Sequence, residues 1–275
     1  MAPRHAPRRR LLLAEYGSSP NRLLEVAPDG TPAWEHIPPS ICVIFQPLDR
    51  GRVLLAYGGK PTGVQEIDRN HRVVWDHVSP CPQVLGCERL RNGNTIVAEQ
   101  GPCQAVEVDP RGRVVRTTPL STSEKPYHLQ VRNVHKLPNG NLLAAHEGEG
   151  AVREVDPQGR VVWEKTGVEN AGDARRLPNG NTVISCGTQR RVLEVDRDGR
   201  TVWEFGERDA PELGIVWVSS IQLLRGGNLM VGNFVRGHEG RGVHAFEVTR
   251  DKKVVWTYAD HGLVKALTTV RALGE

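Results

Sequence analysis

The stretch 137–147, Leu-Pro-Asn-Gly-Asn-Leu-Leu-Ala-Ala-His-Glu, recurs along the chain and decides the fold. Close copies are LRNGNTIVAEQ at 90–100 and LPNGNTVISCG at 177–187. Degenerate copies are LDRGRVLLAYG at 48–58 and LLRGGNLMVGN at 223–233. An Asn-Gly pair between two apolar runs predicts a β-hairpin, because a type I′ turn requires positive φ at both central residues. Each copy therefore predicts two antiparallel strands, named A and B here.

A second motif alternates with the first and predicts a second hairpin, with strands C and D. It reads Glu-Val-Asp, a turn that contains glycine, and Val-Val-Trp, as in EVDPQGRVVW at 154–163. Glycine accepts the left-handed backbone of such a turn. The two hairpins together predict a four-stranded antiparallel sheet, which recurs after 41 residues between Trp34 and Trp75 and after 40 between Trp163 and Trp203. Sheets that are apolar on both faces can be covered by radial stacking in a β-propeller.

Six copies of strands C and D predict an all-β fold, a six-bladed β-propeller of four-stranded antiparallel blades. The first copy begins at strand B (11–15), and its strand A is expected at the other end of the chain, over 267–273. Pairing of these two strands would close the ring and remove exposed sheet edges. We expect one domain over residues 1–275, with blades at approximately 267–275 plus 10–37, 41–78, 84–120, 130–167, 170–206 and 217–260.

Composition and charge exclude several classes of protein. The net charge is +4, and it is matched by Arg4, Arg8, Arg9 and Arg10 near the N-terminus, which we interpret as a solvated tail. We therefore expect no nucleic-acid partner and, because no apolar run could span a bilayer, no membrane partner. The apolar stretch after these arginines is too short for a signal peptide, which predicts a cytoplasmic protein or an exported one whose signal is absent from this chain. A monomer is the default expectation.

Five cysteines, at positions 42, 81, 87, 103 and 186, are an odd number without CxxC spacing. This pattern argues against a disulfide framework and against a structural zinc site. No cofactor is predicted. A divalent metal held by Glu99, His146 and Cys186, with His128 as a further ligand, remains an alternative.

The pairing of LPNGNTxI with EVDxDGxxVWE resembles the repeats of six-bladed bacterial propellers of the pyrroloquinoline-quinone-like and arylsulfotransferase-like type. The resemblance covers nearly the whole chain and implies the propeller fold. This architecture carries hydrolases, lyases, transferases and binding modules, so the resemblance implies no single activity. Arylsulfotransferases use a histidine close to such a repeat, and the segment 133–141 (NVHKLPNGN) is similar to that context, with His135 in place of the histidine. The other catalytic residues of that family have no match here, so the activity is not carried over.

Because the blades are copies, recurring residues are interpreted as scaffold and exceptions as candidates for function. The scaffold set contains six strand-C glutamates and five strand-D tryptophans: Glu25, Glu66, Glu107, Glu154, Glu194, Glu247, Trp34, Trp75, Trp163, Trp203 and Trp256. Trp217 lies outside this set, in the D-to-A connection before blade six. It is a candidate ligand contact, or it packs beneath the loop 207–218. The loop 234–242 is the longest B-to-C insertion and is either a lid over the channel mouth or a flexible rim.

One residue of strand B in each blade, at the same distance from the channel mouth, is predicted to line a polar cavity there. If Asn139 and Gly140 are the two turn residues, paired positions sum to 279, and His146 faces Asn133. The same reasoning predicts the pairs Cys186–Asp173, Glu99–Gly86, Asn233–Ser220, Tyr57–Ile44 and Glu15–Thr269. The strand-B ring then consists of Glu15, Tyr57, Glu99, His146, Cys186 and Asn233. The alternative is that the strands simply become polar as they reach solvent.

A second ring of polar residues lies two positions before the conserved leucine on strand A. Strand A is innermost, so these side chains are expected close to the channel axis, where ion pairs Glu88–Arg175 or Glu88–His135 would offset their charges. Such pairing is either purely structural or part of a ligand site. The strand-A ring consists of Gln46, Glu88, His135, Arg175, Gln222 and Arg271.

Blade four and its neighbours are the richest sector. Histidine titrates near neutrality and suits acid–base chemistry, and arginine suits a carboxylate, sulfate or phosphate group. The candidate catalytic residues are His135, His146, Glu99 and Arg175. The candidate ligand-binding residues are Glu15, Tyr57, Glu88, Tyr127, His128, Asn133, Cys186, Trp217 and Asn233.

These residues predict the binding or processing of a small polar molecule, such as a sugar or sugar acid, at the mouth of the central channel. Processing would be lyase or hydrolase chemistry with histidine as acid or base. The alternative is a non-catalytic protein-interaction scaffold or a ligand sensor. An interaction scaffold predicts a large exposed apolar patch on one face.

Overall fold

The computed structural model describes residues 9–275, which form six four-stranded antiparallel sheets arranged as a six-bladed β-propeller. From strand A to strand D, blade one consists of β24 (Ala266–Ala272), β1 (Leu11–Tyr16), β2 (Arg22–Val26) and β3 (Pro32–His36). Blade two consists of β4 (Cys42–Pro47), β5 (Val53–Gly58), β6 (Thr62–Ile67) and β7 (Val73–Val78). Blade three consists of β8 (Gln83–Arg89), β9 (Thr95–Gln100), β10 (Gln104–Val108) and β11 (Val114–Pro119).

Blades four to six repeat this order. Blade four consists of β12 (Val131–Lys136), β13 (Leu142–His146), β14 (Ala151–Val155) and β15 (Val161–Thr166). Blade five consists of β16 (Ala171–Arg176), β17 (Thr182–Cys186), β18 (Arg191–Val195) and β19 (Thr201–Gly206). Blade six consists of β20 (Val218–Leu223), β21 (Leu229–Asn233), β22 (Ala245–Val248) and β23 (Val254–Tyr258). The described helices are single 3₁₀ turns at Asp49–Gly51, Tyr127–Leu129 and Pro211–Leu213. Within residues 9–275, no helix has the length and apolar character needed to cross a bilayer.

The two ends of the chain close the ring, as the sequence predicts. β24 pairs with β1, so that Leu11 lies opposite Ala272 and Leu13 opposite Val270. Arg9 and Arg10 extend this closure, because Arg9 forms ion pairs with Glu247 of blade six and with Glu275, and Arg10 with Glu25. The prediction of a solvated arginine tail is therefore wrong for Arg9, whereas the Arg10 side chain remains 56% exposed. Arg4 and Arg8 lie outside the described residues.

The A–B hairpins have a different turn from the predicted one. Leu137 pairs with Asn141, and only Gly140, at φ 88°, has a positive φ within the loop 138–140. This is the three-residue hairpin in which glycine alone takes the left-handed position, so paired residues sum to 278 rather than 279.

A register irregularity in strand A then shifts the pairing once more, between Val131 and Asn133 in blade four and at the same height in the other blades. The predicted facing pairs are therefore wrong. The observed pairs are His146–Val131, Cys186–Ala171, Glu99–Val84, Asn233–Val218, Tyr57–Cys42 and Glu15–Leu267.

The strand-C glutamates and strand-D tryptophans connect neighbouring blades, in agreement with their interpretation as scaffold. Glu66 forms an ion pair of 2.8 Å with Arg89 of the next blade, and the Arg89 guanidinium lies 4.9 Å from the ring centre of Trp75. Glu154, Arg176 and Trp163 repeat this arrangement between blades four and five. Since these charges are buried and paired, they are explained by the joints between blades.

Candidate functional site

Two cavities lie at opposite mouths of the central channel. The loop-side cavity, at the end of the D-to-A connections, has a volume of about 280 Å³. The hairpin-side cavity, at the end of the A–B hairpins, has a volume of about 360 Å³. Ile44 lines both of them and therefore lies between them.

The loop-side cavity has an aromatic wall made by Tyr16, Phe234 and Trp217. The Tyr16 and Phe234 rings meet edge to face with 5.4 Å between their centres, and the Arg236 guanidinium lies 5.2 Å from the Tyr16 ring centre. Trp217 packs against Gly187, where an added Cβ would lie 2.5 Å from the indole. The D-to-A connection and the first residues of the loop 234–242 therefore build this wall together.

Polar side chains also line the loop-side cavity. Arg132 forms an ion pair with Glu147, and both line the cavity. Ser219 also belongs to the lining, but its hydroxyl oxygen is buried away from the cavity, without a hydrogen-bond partner among the described residues. His128 lies at the rim, where its Nδ1 is 3.0 Å from Gln83 Oε1. Burial, followed by the nearby Arg132 charge, lowers the pKa of His128 and favours a neutral imidazole at pH 7.

Trp217 and His128 are thus predicted residues that line the loop-side cavity, whereas Tyr127 is exposed beside His128 and does not line it. The six residues of the strand-B ring do not line it either, and all six are buried between blades and loops. Side chains alternate along a strand, so the residues that follow them face the channel instead. Three such residues line the cavity, and the sequence reading missed them: Tyr16, Glu147 and Phe234.

The strand-B ring makes contacts that hold loops in place. Glu99 accepts hydrogen bonds from Ser79 at 2.5 Å and Gln104 at 2.7 Å. Asn233 accepts from the backbone N–H of Trp217 and donates to the Val243 carbonyl. Further contacts of the ring include Tyr57 to Asp76, Glu15 to Ser18 and Cys186 to the Ile184 carbonyl.

His146 is fully buried, and neither ring nitrogen has a hydrogen-bond partner among the described residues. Burial, with a contribution from Arg153, lowers its pKa to about 4, and burial raises the pKa of the Cys186 thiol to about 12. Residues 9–275 contain no cluster of three or more His, Cys, Asp or Glu side chains that could hold a metal ion. The alternative of a metal at Glu99, His146 and Cys186 gains no support from this geometry.

The hairpin-side cavity contains the strand-A ring. All six of its residues line the cavity, as expected for side chains on the innermost strand: Gln46, Glu88, His135, Arg175, Gln222 and Arg271. The ion pair expected between Glu88 and His135 is present, with 3.2 Å between Glu88 Oε1 and His135 Nδ1.

Asp173 is the central acceptor of this cluster, and the sequence reading missed it. Its Oδ1 lies 2.9 Å from His135 Nε2 and accepts a 2.9 Å hydrogen bond from Asn133 Nδ2. Its Oδ2 lies 3.4 Å from Arg175 Nε and 3.8 Å from an Arg271 nitrogen. The wrong register had placed Asp173 opposite Cys186. The sequence contained one signal for this role, because Asp173 is an acidic residue between apolar neighbours on an innermost strand.

The charges of this cluster shift one another's pKa values. Burial and Arg175 oppose a proton on His135, but Glu88 and Asp173 outweigh them and raise its pKa. Burial disfavours the Asp173 carboxylate, but Arg175, His135 and Arg271 hold its pKa far below the usual range. Burial, followed by Arg175, lowers the pKa of Arg271 to about 10. The structure thus unites His135, Glu88, Asn133 and Arg175 but leaves His146 and Glu99 outside the cluster.

Residues 130–259 match the model of the family described as outer membrane protein assembly factor BamB, over just under half of the chain. A protein of unknown function from Bacteroides caccae is similar in structure, with 23% identity, a TM-score of 0.86 and coverage of 98% of this chain and 100% of that one. Virginiamycin B lyase from Staphylococcus aureus follows at 12% identity and TM-score 0.62, covering 90% of this chain and 84% of its own. A chain of a nidogen/laminin complex has 11% identity and TM-score 0.67, covering 95% and 97%. No curated protein matches in sequence. At these identities the structural likeness establishes the propeller fold alone.

Proposed function

We propose that this propeller binds a small polar molecule, of the size and chemistry of a sugar or sugar acid, in the loop-side cavity. The observation that carries the proposal is the composition of that cavity, whose lining combines three aromatic rings with an Arg132–Glu147 ion pair. Small-molecule sites typically combine an apolar wall with a few placed polar groups in this way.

A sugar ring matches both sides of the cavity. Its C–H face packs on aromatic rings such as Trp217 and Tyr16, and its hydroxyls both donate and accept hydrogen bonds. Glu147 would accept from such hydroxyls, whereas Arg132 would donate. Arg236 at the rim adds a positive charge, which favours a sugar that carries a carboxylate. The volume of about 280 Å³ suits a molecule of one or two rings.

The test is calorimetric titration of the protein with glucose, galactose, glucuronate and galacturonate. We expect at least one of these probes to bind, and Trp217→Ala to weaken that binding about tenfold or more through the loss of the stacking surface. Arg236→Ala should weaken the binding of the acids more than that of the neutral sugars. Arg241→Ala, in the same loop but outside the cavity lining, is the matched control and should bind like the wild type. Absence of binding by every probe, or equal binding by Trp217→Ala, would contradict the proposal.

Processing of the ligand by lyase or hydrolase chemistry is the second candidate, favoured by His128 at the rim of the cavity. Its lowered pKa gives a neutral imidazole near pH 7, which can accept a proton from a bound substrate. The virginiamycin B lyases share the propeller fold, and this likeness is consistent with lyase chemistry. If turnover of a binding probe is found, His128→Gln should abolish it while binding persists. His135→Ala and His146→Ala test the two other histidines in the same assay.

The alternative of an interaction scaffold predicts one large apolar patch. Most of the exposed large apolar side chains instead lie on the outer strands of successive blades, at equivalent positions, and so follow the repeat around the rim. They include Val73, Val74, Val114, Val115, Val161, Val162 and Val202.

A further inference from the structure

The strand-A ring contains two kinds of side chain. Three members use a side-chain oxygen to bind the backbone of the next blade: Gln46 accepts from Arg89 N at 2.7 Å, Glu88 from Lys136 N at 2.8 Å and Gln222 from Ala272 N at 2.8 Å. These bonds connect adjacent inner strands and explain their residues structurally. The other three members are Arg175, Arg271 and His135, and an Arg175 nitrogen lies 3.1 Å from His135 Nδ1.

Arg271 is a buried cation with few partners. Its side chain is 9% exposed, and it donates one hydrogen bond, of 2.9 Å, to the Val270 carbonyl. The nearest carboxylate oxygen, Asp173 Oδ2, lies 3.8 Å away, which is too long for a hydrogen bond. A guanidinium has five N–H donors, and a buried one is costly unless it is paired. Arg271 therefore has donors left over, and it lines the hairpin-side cavity.

The charges around this cavity do not balance. Arg175 and Arg271 contribute two positive charges, and His135, between two carboxylates at 3.2 and 2.9 Å, contributes a third when protonated. Glu88 and Asp173 contribute two negative charges. Arg176 also lines the cavity, but it is paired with Glu154 at 2.7 Å on the side of the blade joint. One positive charge therefore remains without a partner while His135 is protonated.

We propose that the hairpin-side cavity is a second binding site, which takes a small aliphatic monocarboxylate between Arg175 and Arg271. A carboxylate is planar and monoanionic, so it matches both the missing charge and the flat donor fork of a guanidinium. Leu177 and Leu223 line the same cavity and are partly exposed, so they offer apolar contacts for a short hydrocarbon tail. The site is separate from the loop-side cavity and does not depend on the function proposed there.

The test is calorimetric titration at pH 6.5 with the sodium salts of acetate, propionate and butyrate, with sodium chloride and inorganic phosphate as comparison probes at equal ionic strength. We expect the carboxylates to bind, with butyrate tighter than acetate because of the apolar lining. Arg271→Gln and Arg175→Gln should each weaken binding about tenfold or more, as expected for the loss of a charged hydrogen-bond partner. Arg225→Gln, an exposed arginine at the A–B hairpin of blade six, is the matched control and should bind like the wild type.

The variant Trp217→Ala separates this site from the other one, because it should leave butyrate binding unchanged. Should Arg271→Gln fail to fold, Arg175→Gln decides, since its side chain is 34% exposed. Carboxylates that bind no better than chloride, a preference for phosphate, or unchanged affinity in Arg175→Gln would each overturn the proposal.

Discussion

The strand-A ring and the strand-B ring carry similar residues in different surroundings. Each has one member per blade, and each includes a histidine and a glutamate. The strand-A ring lies on the innermost strands and faces the hairpin-side cavity, whereas the strand-B ring is buried between blades and loops. The comparison shows that residue type alone does not identify a site in a repeat protein. The strand and the side of the sheet decide which polar group meets the channel.

The two histidines show the chemical consequence of this difference. His135 lies between Glu88 and Asp173, which raise its pKa against the opposing effects of burial and Arg175. His146 has no hydrogen-bond partner among the described residues, and burial lowers its pKa to about 4. The surroundings of His135 favour the cation beside a cavity, whereas those of His146 favour the neutral imidazole inside the fold.

Removal of residues 266–275 tests both rings at once and should have the largest effect. This deletion takes β24, and with it Arg271, away from the strand-A ring, and it uncovers Glu15 on β1. The ring then loses its closing strand, and we expect most of the free energy of unfolding to be lost, as measured by urea denaturation. Removal of Gly274 and Glu275 alone, which breaks only exposed contacts, should have little effect. A protein that melts like the full chain after the ten-residue deletion would disprove the importance of the closure.

Asp173→Asn and Glu99→Gln compare one carboxylate associated with each ring. Asp173 is surrounded by Arg175, Arg271 and His135, so loss of its charge leaves buried cations unpaired and should cost about 3–5 kcal/mol. Glu99 accepts hydrogen bonds from the neutral groups of Ser79 and Gln104, and the amide retains part of them, so we expect about 1 kcal/mol. Urea denaturation of both variants measures the difference. Equal losses would mean that the two rings do not differ in electrostatics.

The repeats predict the fold well because hairpin motifs and their period are local features. The candidate site was harder to predict, because it depends on which residues of strands A and B lie opposite each other, to within one residue. Gly140 alone takes the left-handed position, and an irregularity near Arg132 moves every strand-B partner again. Two positions of error per hairpin placed Asp173 opposite Cys186 and hid its part in the cluster. The strand-A ring was placed correctly, since its position was counted from the conserved leucine and did not depend on the pairing.

The pH dependence of stability should have opposite signs at the two histidines. The pKa of His146 is about 4 in the folded state against 6.5 in a free histidine, so the folded state binds fewer protons. The contribution of neutral His146 to the free energy of unfolding is complete above pH 6.5. It is lost as the pH falls toward 4, by up to about 3 kcal/mol. His135 has a raised pKa, so its contribution is complete below pH 6.5 and is lost as the pH rises through the folded value.

Urea denaturation of the wild type, His146→Leu and His135→Gln between pH 4.5 and 8.5 measures these two contributions. The difference between wild type and His146→Leu should shrink toward acid pH. The difference between wild type and His135→Gln should shrink toward alkaline pH. Two differences that change in the same direction would refute the assignment of one neutral and one protonated histidine.

Tyr57→Phe should have the smallest effect and isolates the loop-holding role of the strand-B ring. The substitution removes one hydrogen bond, of 3.1 Å, from the phenol to Asp76 and keeps the buried ring, so we expect a loss of about 1 kcal/mol in urea denaturation. Because Tyr57 lines neither channel cavity, the same variant should bind sugar probes and butyrate with wild-type affinity. A tenfold change in either affinity would place the strand-B ring in a binding site after all. The distinction between the two rings would then rest on their charges alone.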